Sequence, residues 1–249
     1  MRFGQSSNPT LNKKMFNTIL AQEDGEVMTV KGATNKSILL SLLVFLSAAF
    51  VWRWAMQDPN SGAVNGLMLT GVIGGLIFAL ITIFKKEWAP YTSPVYSLLQ
   101  GCFLGGISAV FERFYPGIAF QAIGLTFAVL FILLVAYRSG IIKPTEKFKM
   151  GIVAATGAIA VFYLINMVLG FFGMGVSLFN LGWIGIGIQL IIVAVAALNL
   201  VLDFDFIEQG AEQNAPKWME WYAAFGLIVS LIWLYLEILK LLALLARRN

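Results

Sequence analysis

Glu237 lies near the middle of an apolar stretch, residues 221–245, in which Lys240 is the only other charged residue. A carboxylate at that depth is costly enough to mark an ion or proton path by default. Lys240, three residues on, offers the other reading, in which the two charges face each other along one helix and neutralise. Asp203 and Asp205 directly follow a second apolar stretch, with Glu208 and Glu212 beyond them. On helical geometry Asp203 and Asp205 project about 200° apart around the axis, so they serve different sites. Glu208 and Glu212 read as a solvated helix end, whereas Asp203 is near enough to the bilayer to be buried at the mouth of a helix bundle. If Asp203 and Glu237 meet, desolvation and mutual repulsion make them a pair that shares one proton, a pH-sensitive switch. Their oxygens are also the ligands that a hard cation such as calcium requires.

Other chemistries are poorly supplied. The chain has no histidine and one cysteine, Cys102, in an apolar setting. That removes the commonest general base and metal ligand, a disulfide framework and a thiolate cluster. No metal site is expected beyond a transient calcium at Asp203 and Glu237, and no cofactor. There is no His-Glu-x-x-His helix and no phosphate-binding loop. An intramembrane aspartyl protease would need two facing acids, which Asp203 and Glu237 supply, but no Gly-x-Gly-Asp stretch accompanies them. The chain is expected not to be an enzyme.

The elements that must carry these residues are membrane spans. Hydrophobic residues make up 59% of the chain and charged residues 12%, against about half and a quarter in a soluble domain; the mean hydropathy is +0.82. A helix crosses the hydrocarbon core with about 20 apolar residues. Segments 37–57, 66–84, 93–111, 117–137, 149–171, 181–202 and 221–245 meet that test. The expected fold is all-α, a polytopic bundle of seven transmembrane helices (37–246) with the last helix central. Residues 1–36 form a polar, basic tail without the pattern of a cleaved signal. Asp58 to Gly62, Pro90 with Pro94, Pro116 with Gly117, Lys143 with Pro144, Gly173 with Gly175, and Pro216 punctuate the loops.

Alternating loops put the tail and the second, fourth and sixth loops on one side. That side holds Arg2, Lys13, Lys14, Lys31, Lys36, Lys85, Lys86, Arg138, Lys143, Lys147, Lys149 and Lys217, against Arg53, Arg113, Arg247 and Arg248 opposite. The positive-inside rule therefore places the N-terminus in the cytoplasm and the C-terminus outside. The net charge of +4 is read as attraction to the anionic lipid surface and not to nucleic acid. Glu112 and Arg113 read as an interfacial pair. Gly71 with Gly75, Gly101 with Gly105, and Gly182, Gly185 and Gly187 are expected to let helices pack closely, and Gln121, Asn166, Gln189 and Asn199 to hydrogen-bond between helices or line a polar path. Lys85 and Lys86 end the second span, either snorkelling to headgroups or latching over the acidic mouth.

Two motifs resemble those of the Bax inhibitor and YccA-like family, also called the transmembrane Bax inhibitor motif family. They are Asp203, Phe204, Asp205, Phe206 and Ile207 after the sixth span, and Leu234, Tyr235, Leu236, Glu237 and Ile238 in the seventh. The stretch from Tyr96 to Ser108 and the tail's Ser7, Asn8 and Pro9 are similar too, in the manner of the bacterial branch. The resemblance implies a pH-sensitive calcium leak in a bacterial inner membrane, with Asp203 and Glu237 at the positions of the family's paired aspartates. It also puts Lys85 where the family has an arginine that latches onto the first carboxylate. Lysine lacks the guanidinium fork, so that contact would be less directional. Glutamate for aspartate adds one methylene, and the loop between the two acids is about ten residues longer than in compact members. The alternative implied role is a non-transporting regulator that binds a membrane protease or another membrane protein through the basic tail.

Overall fold

The computed structural model describes residues 26–58, 61–175 and 177–247. Arg2, Lys13, Lys14, the segment of Ser7, Asn8 and Pro9, Pro59, Asn60 and Arg248 lie outside the described residues. Within them seven helices are long and apolar enough to cross a membrane. They are α1 Val30–Gln57, α2 Gly62–Phe84, α3 Ala89–Phe114, α4 Ile118–Arg138, α5 Glu146–Phe171, α6 Trp183–Glu212 and α7 Met219–Ala246. The chain is thus an all-α, membrane-spanning helix bundle, as its hydropathy predicts.

The last helix is its axis. α7 packs against α1, α3, α4 and α6 and buries Leu234, Ile238, Leu239 and Ala243. α5 is the opposite case: only Ile152 is buried, while Val161, Leu164, Ile165 and Val168 are exposed. A soluble protein would aggregate through such a surface; in a bilayer it faces lipid, and the backbone stays satisfied inside each helix.

Several ends differ from the expected spans for local reasons. Pro90 and Pro94 frame the second loop in the sequence, yet α3 starts before both of them, at Ala89. Pro90 falls in the first turn, where no N–H is needed. α6 runs on to Glu212, so Asp203, Asp205 and Glu208 are helical; charge ends a hydrophobic span but not a helix. Thr29 caps α1 by accepting the Gly32 N–H at 2.9 Å. Glu112, from the end of α3, accepts the N–H groups of Gly117 (2.6 Å) and Ala119 (3.0 Å) at the start of α4, while Arg113 donates to the Ala55 carbonyl of α1.

The glycine pairs divide. A methyl added at Gly101 or Gly105 would collide with Ser47 or Ala48 of α1, and one at Gly71 or Gly75 with Leu99 or Gln100 of α3, the close packing that small residues permit. The Gly182, Gly185 and Gly187 group does not pack helices together: Gly182 has a φ of 58° ahead of α6, Gly185 meets the Leu178 carbonyl of the preceding loop, and Gly187 faces open space.

The two ends of the bundle are also distinct. At one, Glu26 to Thr29 lies along the α6–α7 loop: the Met28 N–H donates to the Ala215 carbonyl (2.7 Å) and the Lys217 N–H to that of Glu26 (3.1 Å). At the other, Arg247 reaches the Phe179 carbonyl, 3.3 Å away. α7 therefore finishes beside the α5–α6 loop, opposite the end where α1 begins.

Candidate functional site

Glu237 is 1% exposed, and four donors saturate it. Trp233 Nε1 (3.1 Å) and Lys240 Nζ (3.0 Å) donate to Oε1; Tyr163 Oη (2.9 Å) and Gln189 Nε2 (2.7 Å) donate to Oε2. A carboxylate offers about four lone-pair sites, so every one is used. Trp233 and Lys240 arrive from one turn either side on α7, Tyr163 from α5 and Gln189 from α6. The Lys240 ammonium also lies 4.8 Å from the centre of the Tyr163 ring, an attractive placement over the ring face. The second of the two sequence readings of Lys240 thus describes the contact: the two charges pair along one helix face.

Asp203 does not join this group. Its carboxylate faces Ser230 and approaches Gly226, so it meets α7 nearer that helix's start. Ser230 and Glu237 are two turns apart, about 10 Å along the axis. On α6, Gln189 and Asp203 are separated by about 20 Å. The expectation of a proton-sharing pair is therefore corrected: α6 and α7 run antiparallel, and their register sets the two acids at different depths. Asp203 is half-buried, and its Oδ2 is enclosed with no hydrogen-bond partner among the described residues.

Asp205 turns away from Asp203, as helical geometry requires. It accepts from Lys149 of α5 (2.7 Å) and from Gln209 (2.7 Å), while Glu208 is exposed and bonded to Tyr137. Lys85 is exposed, with its ammonium 5.6 Å from the Trp88 ring centre. Among the described residues it makes no ion pair with Asp203, because α2 packs chiefly on α3; the latch expectation is corrected too. Of the amides, Gln189 and Asn199 bond between helices, Asn199 to Thr156 of α5 at 2.8 Å, and Gln121 is exposed.

One buried carboxylate went unnoticed in the sequence. Glu220, in the first turn of α7, is 0% exposed. Its Oε1 accepts from the Thr29 backbone N–H (2.9 Å) and hydroxyl (3.0 Å), Lys36 of α1 pairs with Oε2, and Lys217 lies 3.3 Å away. Hydrogen bonding to Glu220, with the added charge of Glu26, holds the Lys217 ammonium above the usual lysine range. Gly32 is required beside it, since a Cβ there would collide with the carboxylate. The i,i+3 spacing of Lys217 and Glu220, inside a run of tryptophans, was the available signal. It reads equally well as an interfacial pair.

A family model described as Bax inhibitor 1 like matches residues 8–247. No curated protein and no solved structure matches the chain. The family match spans all seven helices and both acid-bearing motifs, so the chain belongs to the Bax inhibitor 1 like family of integral membrane proteins.

Proposed function

We propose that the protein is a proton-sensitive cation leak, with calcium the expected permeant ion and Asp203 the responsive carboxylate. One observation carries this reading: Asp203 has an enclosed oxygen with no donor, inside a helix of the bundle. A buried acceptor without a partner is unfavourable by about 1–3 kcal/mol, more if charged, and a bound proton or cation supplies what it lacks. Glu237, already saturated, holds α5, α6 and α7 together and is not the sensor. The same reading places the protein in a bacterial inner membrane with its N-terminus in the cytoplasm, and assigns it neither catalysis nor a resident cofactor.

Proteoliposomes loaded with a calcium-sensitive dye test it. Flux is expected to depend on pH, the dependence to vanish in Asp203→Asn and to persist in Glu237→Gln. Flux that ignores pH, or a pH dependence that survives Asp203→Asn, overturns the reading.

The regulator alternative draws on a different observation. Glu26 to Thr29 is pinned to the α6–α7 loop, which fixes where the tail joins the bundle and gives a partner a defined docking place. Deleting residues 1–25 separates the two: a leak survives in vesicles, whereas a regulator loses capture of its partner membrane protein.

A further inference from the structure

Behind the α5–α6 loop lies a cavity of about 180 Å³, lined by Tyr163, Asn166, Gln189, Lys240 and the 177–179 turn. Lys240 stands in it half-exposed, its ammonium held by the Glu237 carboxylate and the face of Tyr163. A carboxylate beside an aromatic face is a general recognition unit for a small monovalent cation. Gln189 adds an acceptor. Its amide N–H group must face Glu237, because both neighbours there, the Glu237 carbonyl (2.9 Å) and carboxylate (2.7 Å), can only accept. Its Oε1 is consequently left buried with no partner among the described residues, on a residue that is 0% exposed. Natural structures rarely leave such an atom unused.

We propose that Glu237 and Tyr163 form a binding site for a small monovalent cation, that the Lys240 ammonium is its tethered occupant, and that Gln189 Oε1, which the ammonium does not engage, is a further acceptor for a free ion. The charge count agrees: one carboxylate balances one ammonium, with three further contacts, from the Tyr163 hydroxyl, the Trp233 indole and the Gln189 amide, orienting the acid. A free cation enters only when the flexible lysine stem swings out, so Lys240 competes with any ion that approaches from this end of the bundle. Lys240's control over flux rests on the leak reading; its occupancy of the site does not.

The test is the melting temperature of the purified, detergent-solubilised full chain. Methylammonium chloride, which mimics the lysine head group, and sodium chloride are titrated at constant ionic strength against the bulky N-methyl-D-glucamine salt. In Lys240→Met the vacated site should bind the free ion and raise the melting temperature by about 5 °C at saturation. Wild type should not respond, because its own lysine fills the site, and Lys240→Met/Glu237→Gln should not respond, because no charge remains to bind. Recovery of Lys240→Met only when it is purified in methylammonium chloride supports the site equally. If that variant is lost in every salt, Lys240→Gln carries the same titration. Equal shifts in all three proteins, or none in the lysine variant, overturn the proposal. Dye-loaded vesicles read the other reading separately: Lys240→Met should raise cation flux several-fold. Ion-dependent melting with no flux from any variant would end the leak while leaving the site in place.

Discussion

Glu220 and Glu237 are both fully buried on α7, at 0% and 1% exposure, about 25 Å apart along the helix, and they are held in opposite ways. Glu220 stands at the helix N-terminus, where the backbone dipole favours a negative charge. It accepts from the main chain at Thr29 and from two lysines on different segments. No Cβ can enter beside it at Gly32, and among the described residues its buried side-chain neighbours leave no acceptor unpartnered. Glu237 takes its donors from side chains alone. Among the described residues its one cation is a flexible lysine of its own helix, and the buried Gln189 Oε1 beside it has no partner. A carboxylate tied to main chain and to cations of separate segments is a clamp; one held by movable side chains around a cavity is a site. The same residue type, equally buried, does either according to how far its partners can move.

That contrast can be broken by substitution, with unfolding in detergent as the readout. Glu220→Ala should cost the most, about 3 kcal/mol, since it leaves Lys36 and the Thr29 amide without their partner. Hydrogen exchange should localise the loss: the amides of Met28 and Thr29 loosen while those around Tyr163 stay protected. Gly32→Ala should come next, at about 2 kcal/mol, because a methyl must push into the clamped carboxylate; the same change at Gly187, which faces open space, is the matched control and should be close to neutral. Glu237→Gln should cost least, about 1 kcal/mol, because the amide still accepts from Tyr163 or Gln189 and the half-exposed Lys240 can turn to water. A larger loss at Glu237 than at Glu220 would invert the assignment of clamp and site.

The family's paired acids sharpen the same point. Asp203 and Glu237 are each recognisable from their motifs, Glu237 inside the seventh span and Asp203 directly after the sixth apolar stretch, yet they do not meet. Asp203 faces α7 at Gly226 and Ser230, at a different depth from Glu237. Lys85 similarly ends α2 as the hydropathy predicts, but α2 packs on α3, which leaves the lysine over Trp88. The cation that bridges to a buried acid of α7 from another helix is Lys36.

The sequence by itself determined the class of molecule: hydrocarbon excludes unpaired backbone, so seven apolar stretches of sufficient length have to be helices. It also marked Glu237 as a costly acid, because cost depends on depth within a span, though not Glu220 at a span's end, and it showed that Asp203 and Asp205 diverge, because helical periodicity is local. Only the tertiary structure decided their partners. The antiparallel register of α6 against α7, the extension of α6 to Glu212 and the seating of Glu26 to Thr29 on the α6–α7 loop arise from side-chain packing between segments far apart in the chain. A contact such as Thr29 to Glu220 follows from that packing and from nothing in the residues that flank either one.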